Sequence, residues 1–227
     1  WAYESLNFSA RMNKNLRCII LTDRTDLRIN KLDTSILVDY IDDSTLASLS
    51  ERVNINCHGS FWVYTSLRLF ALLDYTLKCN ISCFFHAELD SMIFDISALP
   101  PVFNKVGLGF FAPRDSLTRA IASLVYCNQI ETLQLLCDLY STVSIDNDMD
   151  ALGLLAQLYP DKFHALPTES YASNSSLFSV LSPDETFGIF DAAAIGQYLF
   201  GIDPIHNPTK PTYSQFINEN SSVDWEN

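Results

Sequence analysis

Basic residues are scarce in this sequence, which has 14 Lys and Arg against 27 Asp and Glu and a formal net charge of −13. A nucleic-acid groove needs clustered Lys and Arg to replace the counterions of the phosphates. Electrostatic docking on an anionic membrane also needs basic residues. The charge balance therefore argues against both partners. A small anionic ligand is compatible with it where a cation or a few local basic groups neutralise the ligand.

Several sequence signatures are missing as well. No apolar run approaches the ~20 residues of a membrane span, and no signal-peptide pattern is visible. Glycine-rich phosphate loops and the GxSxG nucleophile motif are absent, and Gly196 and Gly201 are isolated glycines. The sequence thus indicates neither a transmembrane segment nor a P-loop.

The six cysteines form no CxxC pair, which argues against a zinc site. Most of them lie in apolar runs, so we expect buried free thiols in a reducing compartment and a cytoplasmic location. Four Asn-X-Ser/Thr triplets occur, at Asn7, Asn80, Asn174 and Asn220. Such triplets are common by chance and do not indicate secretion.

The 48% of hydrophobic residues, with ten Tyr and fifteen Phe, are enough for a sizeable core. No linker divides the sequence, so we predict one domain over residues 1–227 with a loop-rich tail over residues 204–227. Because the sequence begins at Trp1 rather than Met, we expect a processed product or a piece of a longer chain with further domains.

Apolar patterns predict an alternation of strands and helices. Strands are expected at Leu16–Leu21, in "SILVDYID", at Ile81–His86, near Val106 to Phe111 and in "KFHALPTE". Helices are expected in "ESLNFSARMNKN", "DSTLASLSERV" (capped by Asp43 or Ser44), "GSFWVYTSLRLFALLDYTLKCN", "SLTRAIASLVYCN", "IETLQLLCDLY" and "DMDALGLLAQLYP", and from near Ala192. This alternation predicts an α/β domain with a mainly parallel central sheet flanked by helices, in which Leu16–Leu21 and Ile81–His86 are adjacent or nearly so.

Two acids, Glu88 and Asp90, directly follow the apolar run Ile81–Phe85 in "ISCFFHAELDSMIFD". Ligands of open parallel sheets bind beyond the carboxyl ends of the strands. Two carboxylates at such an end repel each other unless a cation joins them, and Mg²⁺ or Mn²⁺ suits oxygen ligands and also holds substrate phosphates. The pair predicts a metal that bridges the protein to a diphosphate. The alternative is an exposed acidic turn.

The residues around this pair resemble a known family. The strand, "ELD" and "SMIFDISAL" look like the metal-binding DXD segment of GT-A glycosyltransferases, with Glu88 in the first place. "YTSLRLFALLDYTLKCNISCFFHAELDSMIFDISAL" resembles the glycogenin-like galactosyltransferases. "FDAAAIGQYLFGIDP", Phe190 to Pro204, resembles a block in glycosyltransferases of bacterial surface polysaccharides and of large algal viruses. The resemblance covers roughly Leu16 to Pro211, with specific motifs in three short places.

The resemblance implies a GT-A-like fold and a metal-dependent glycosyltransferase acting in polysaccharide or glycoprotein glycan biosynthesis. It would transfer a sugar from a nucleotide-diphosphate sugar, expected to be a UDP-sugar, to a glycan acceptor hydroxyl with Mn²⁺ or Mg²⁺. Arg68 occupies the place of an arginine that faces the donor sugar. Asp90 is the expected direct metal ligand, and Glu88 contacts the nucleotide ribose, the metal or a water on it.

Further positions follow from the same resemblance. "HNPTKP" offers His206 as a metal ligand and Lys210 as a phosphate-binding residue, although the spacing is approximate and the aromatic that should follow is missing. Thr22 and Asp23 end the first strand, where GT-A enzymes contact the nucleotide base. Asp191 corresponds to an acid that faces the acceptor or the sugar, and we expect it to be catalytic.

Plain alternatives stand beside each of these assignments. His206 also fits a solvated loop histidine. Asp191 also fits the N-cap of a helix that starts at Ala192. Arg68 also fits a surface residue whose aliphatic stem covers the helix. Thr22 and Asp23 also fit ordinary turn formers. At the level of function, the rival is a non-catalytic module of GT-A ancestry that binds a nucleotide sugar or glycan. A phosphate-ester hydrolase that uses Glu88 and Asp90 is more distant.

Overall fold

The computed structural model describes residues 2–53, 55, 60–88, 91, 93–114, 117–168, 181–186 and 190. The helices in these residues are α1 (Ala2–Met12), α2 (Asp43–Ser50), α3 (Ser60–Lys78), α4 (Leu99–Val106), α5 (Ile130–Thr142) and α6 (Asp148–Leu158), with a short 3₁₀ helix at Ile29–Lys31. The strands are β1 (Cys18–Thr22), β2 (Ile36–Tyr40), β3 (Phe84–Ala87), β4 (Phe110–Pro113), β5 (Leu124–Cys127) and β6 (Phe163–Leu166).

Two sheets are formed by these strands. β1 and β2 pair in parallel, and a four-stranded sheet has the order β3-β5-β4-β6. The α/β class with flanking helices is confirmed, but the larger sheet is mixed. β5 runs antiparallel to both β3 and β4, and β4 runs parallel to β6. In the described part of the chain, β1 and β3 belong to different sheets, so the predicted adjacency of Leu16–Leu21 and Ile81–His86 is not seen.

The path of the chain into β5 explains both the mixed sheet and the wrongly predicted helix in "SLTRAIASLVYCN". Residues 117–123 are irregular, and the chain then enters β5 rather than a helix. A parallel neighbour would need a crossover of a dozen or more residues, whereas β4 and β5 are joined by a shorter loop that returns antiparallel. The run Val125, Tyr126 and Cys127 is buried throughout, and a strand buried on both faces looks like a buried helix by periodicity alone.

The helices that pack on the larger sheet agree with their apolar periodicity. α3 buries Leu69, Phe70 and Leu73 and ends two residues before Asn80. α2 is capped by Asp42, one position before the predicted caps, and the Asp42 carboxylate accepts a hydrogen bond of 2.8 Å from the Thr45 N–H.

Within the described residues, no helix combines the length and apolarity needed to cross a bilayer.

The larger sheet separates two hydrophobic clusters. Phe110, Ala112, Val125 and Cys127 share the main cluster with residues of α3, α5 and α6. The intervening residues Phe111 and Tyr126 point to the opposite face and pack with Phe103 of α4. Phe84 packs against the main cluster and Phe85 against the second. Because side chains alternate along a strand, His86 lies on the α3 side of β3 together with Phe84.

Candidate functional site

The candidate site lies where β3 ends. The N–H of Glu88 donates to the Ser123 carbonyl at 3.2 Å, which continues the contact of β3 with β5 by one residue. The Glu88 carbonyl then accepts a bond of 3.0 Å from the Ser91 N–H. β3 itself is shorter and more exposed than predicted: it starts at Phe84, its residues are half-buried, and Ser82 and Cys83 are exposed. The reason is that β5 alone pairs with it among the described strands.

A single arginine joins two carboxylates at this strand end. Arg68 projects from α3, and its Nη1 donates to Oε1 of Glu88. Its Nη2 donates to Oδ2 of Asp148 at 2.5 Å. The side chain of Asp148 is 3% exposed, that of Arg68 22% and that of Glu88 35%. The ion pair therefore runs from the interior to the solvent edge, with Glu88 on the accessible side.

Asp148 was not singled out from the sequence. It lies in the first turn of α6, after the N-cap Asn147, whose side chain accepts a bond of 2.9 Å from the Asp150 N–H. The partial positive charge of a helix N-terminus stabilises a carboxylate there. An acid in a first turn is an ordinary helix start, and Arg68 is 80 positions away along the chain. No local sequence pattern predicts a contact between residues so far apart.

The surroundings of Arg68 and His86 determine the protonation states of both side chains. Burial opposes the charge on Arg68, but the carboxylates of Asp148 and Glu88 raise its pKa above the ordinary value. Burial, with a smaller effect of the Arg68 charge, lowers the pKa of His86 to about 3. Arg68 is thus a permanent cation, and His86 is a neutral imidazole at physiological pH.

Two buried nitrogen atoms of the site have no hydrogen-bond partner among the described residues. They are Nε of Arg68 and Nε2 of His86. Buried polar atoms in native proteins are nearly always paired, so this place suits a polar ligand group or a bridging water. Deeper in the core, the Tyr140 hydroxyl donates to the Ser66 hydroxyl at 3.0 Å. Burial raises the pKa of Tyr140, so its hydroxyl stays protonated.

The nucleotide-binding residues predicted at the end of β1 lie where the sequence placed them. Thr22 is the last residue of β1, and its hydroxyl accepts a bond of 3.1 Å from the Arg24 N–H. Asp23 follows and is exposed. These contacts are those of an ordinary strand-end turn, and binding of a nucleotide base stays a prediction. Asp90, Asp191, His206 and Lys210 lie outside the described residues.

A basic side chain compensates part of the acidic charge at the end of β3. The guanidinium of Arg68 neutralises Glu88, whereas a metal was the expected cation. A carboxylate has about four lone-pair sites on its two oxygens, so Glu88 still has an oxygen for an ion beside the bond to Arg68. In the described part of the chain, no three His, Cys, Asp or Glu residues cluster as a metal site. A metal at this place would need further ligands, and Asp90 and His206 stay the predicted ones.

The cysteines are free thiols, as predicted, at the five positions that the structure describes. Cys127 and Cys137 are buried, and burial raises the pKa of each thiol to about 12. Cys79 and Cys83 are exposed, which differs from the prediction. Both precede β3, which pairs with a single strand, β5, in the described part of the chain.

Comparison of the sequence with models of known protein families and with curated proteins gives no match. Among solved structures, the chain is similar to the apo form of mouse xyloside xylosyltransferase 1. The identity is 12%, the TM-score is 0.47, and the match covers 80% of this chain and 89% of that chain. Neither the identity nor the score is high enough to assign an activity.

Proposed function

We propose that this chain is a glycosyltransferase that uses a nucleotide-diphosphate sugar, with a UDP-sugar as the expected donor and a glycan hydroxyl as the acceptor. One observation carries the proposal: Arg68, the arginine that the resemblance places toward the donor sugar, meets Glu88 of the "ELD" segment directly. The two residues are 20 positions apart and come from different elements.

The chemistry of sugar transfer fits such a site. A diphosphate leaving group develops negative charge as the glycosidic bond breaks, and preorganised positive charge stabilises that transition state. Arg68 is held in orientation by two carboxylates and is always charged, so it needs no reorganisation during the reaction. His86 adds a neutral, buried nitrogen beside it. Because Arg68 is paired with two carboxylates, an anionic substrate would also need the proposed divalent ion for its charge to be compensated.

A divalent ion is part of the proposal. Glu88, Asp90 and His206 would hold Mn²⁺ or Mg²⁺, and Lys210 would add charge at the phosphates. When bound, the ion supplies Lewis-acid neutralisation of the diphosphate. Asp191 would face the acceptor or the sugar, and Thr22 and Asp23 the nucleotide base.

The test is release of UDP from a panel of UDP-sugars, with and without Mn²⁺, by the wild type, Arg68→Lys and the control Arg24→Lys. Arg24 forms an exposed pair with Asp26 at 2.6 Å, so its replacement should leave turnover unchanged. Lysine lacks the planar fork that spans two carboxylates, and we expect Arg68→Lys to lose roughly 10²-fold in turnover.

Three outcomes contradict the proposal in different ways. Metal-dependent binding of a UDP-sugar without release of UDP would indicate the non-catalytic binding module. Phosphate release from simple esters would point to a hydrolase. Equal turnover by the wild type and Arg68→Lys would remove Arg68 from the site.

A further inference from the structure

The segment that follows the acidic pair has no regular secondary structure of its own. Ser91 and residues 93–96 belong to no helix or strand, yet they are fixed against α1. Ser5 and Ser9 of α1 are spaced by four positions, and Asn13 follows four positions later, directly after the last residue of the helix. The Asn13 N–H still donates to the Ser9 carbonyl at 3.1 Å, so the three side chains lie on one side of this part of the chain.

Each of these three side chains bonds to the backbone of the segment. The Ser5 hydroxyl donates to the Ser91 carbonyl at 2.6 Å, and the Ser9 hydroxyl accepts from the Ile93 N–H at 2.9 Å. The amide of Asn13 donates to the carbonyls of residues 93 and 94 at 3.3 and 2.9 Å, and its oxygen accepts from the N–H of residue 96 at 2.9 Å. The segment thus obtains from side chains the hydrogen bonds that a neighbouring strand normally provides.

The polar residues at these buried positions are better explained by their bonds to the segment than by helix formation. Ser is a weaker helix former than Ala or Leu, and the helix face that points inward is usually apolar. Ser5 and Asn13 are nevertheless only 3% and 8% exposed. Beside them, the rings of Phe8 and Phe94 pack edge to face at 5.2 Å. Local helix propensity is therefore given up for contacts with one particular segment.

We propose that Ser5, Ser9 and Asn13 are positioning residues for the ion-binding acids. The span from Glu88 to Ser91, which contains Asp90, is tied at one end by the bond from the Glu88 N–H to Ser123. The Ser5 bond ties its other end at Ser91. Ligands of a divalent ion must be held closely, and residues behind the ligands typically change metal affinity by about 10–100-fold. The inference rests on the proposed metal-dependent function.

The test compares Asn13→Ala with Asn7→Ala. Asn7 lies on α1, shortly before Asn13, and also bonds to a loop backbone, but its partners are the Lys31 carbonyl at 2.8 Å and the Asp33 N–H at 2.6 Å. Binding of Mn²⁺ is measured by electron paramagnetic resonance, and amide hydrogen exchange of residues 88–96 by mass spectrometry. We expect Asn13→Ala to bind Mn²⁺ at least about 10-fold more weakly and to exchange faster at 88–96. Asn7→Ala should match the wild type in both.

The outcomes separate this inference from the proposed function. Mn²⁺ binding by the wild type with equal affinity in both variants overturns the positioning role alone, even where exchange increases in Asn13→Ala. A wild-type chain that binds no Mn²⁺ overturns the metal-dependent function and the inference with it. Should Asn13→Ala fail to fold, Ser9→Ala removes one hydrogen bond only and is measured in the same way.

Discussion

Single residues set the charge balance of the candidate site. Arg68 lies between a carboxylate that is 3% exposed and one that is 35% exposed. Removing a carboxylate from water costs free energy. Among the described residues, the bond to Arg68 and the position in the first turn of α6 offset this cost for Asp148. The pair with Glu88 is more solvated and contributes less to stability.

Replacing the arginine should therefore destabilise the fold as well as the site. In Arg68→Met the buried Asp148 loses its partner, and we expect the free energy of unfolding to fall by about 3 kcal/mol. Urea denaturation measures this loss. Arg24→Met removes an exposed pair with Asp26, and we expect a much smaller change in the free energy of unfolding. In the double variant Arg68→Met/Asp148→Asn much of the loss should be restored, and a double variant as unstable as Arg68→Met would contradict the explanation.

His86 should make stability depend on pH. Folded His86 stays neutral down to about pH 3, whereas in the unfolded chain it takes up a proton below about pH 6.5. Between these values the unfolded chain binds more protons, so this stabilisation is complete above about pH 6.5 and is lost as the pH falls. From about pH 7.5 to about pH 5 the wild type should lose about 2 kcal/mol more than His86→Leu. Chemical denaturation at the two pH values checks this, and parallel curves would refute it.

At the scale of elements, α6 is placed by a close approach to the irregular segment before β5. A Cβ added to Gly153 would lie 1.7 Å from the Thr118 carbonyl oxygen and 2.6 Å from the Arg119 nitrogen. Backbone atoms cannot move aside as a side chain can, so this position requires glycine. The approach matters for the site, because α6 carries Asp148 and residues 117–123 lead to Ser123, which holds Glu88.

Gly153→Ala should consequently destabilise the protein, although alanine is the better helix former by about 1 kcal/mol. We expect a net loss of roughly 1–3 kcal/mol from the clash, measured as a lower midpoint of thermal unfolding. Gly107→Ala is the matched control, because its Cβ would meet only the His164 ring at 3.1 Å, and a side chain can adjust. A Gly153→Ala variant at least as stable as the wild type would show that the segment moves freely.

For the whole molecule, the net charge of −13 determines how an anionic donor can bind. A nucleotide-diphosphate sugar would meet an overall repulsive field, and the proposed ion would supply most of the compensation. Glu88 is neutralised in part by Arg68, so in the proposed site Asp90 would depend more strongly on the ion.

We expect chelation of divalent ions to abolish binding of the UDP-sugar, measured by calorimetry with and without Mn²⁺. Asp90→Ala should lose binding almost entirely, because Asp90 is the expected direct ligand. Glu88→Ala should weaken binding and also lower stability, since Arg68 loses a partner. Asp138→Ala, at an exposed acid of α5, should behave as the wild type. Equal donor affinity in the presence and absence of Mn²⁺ would argue against the metal.

Much of the local structure followed from the sequence. The apolar periodicities of α3, α5 and α6 predicted those helices, and the continuous run of β1 predicted a strand, because each pattern reflects which faces of one segment are buried. The resemblance of "ELD" and the preceding helix singled out Arg68 and Glu88. The structure brings these two side chains into contact at the end of β3, and their roles toward a donor stay predictions.

Other features were decided by the tertiary structure alone. Whether Val125–Cys127 forms a strand or a helix depended on the neighbours that cover it, and the antiparallel direction of β5 depended on the path of the loop before it. Asp148 joined the site because α6 packs near α3, across 80 positions of sequence. Local patterns record the burial of a segment, whereas charge pairing between distant segments depends on how the elements pack, and no pattern within either segment carries that information.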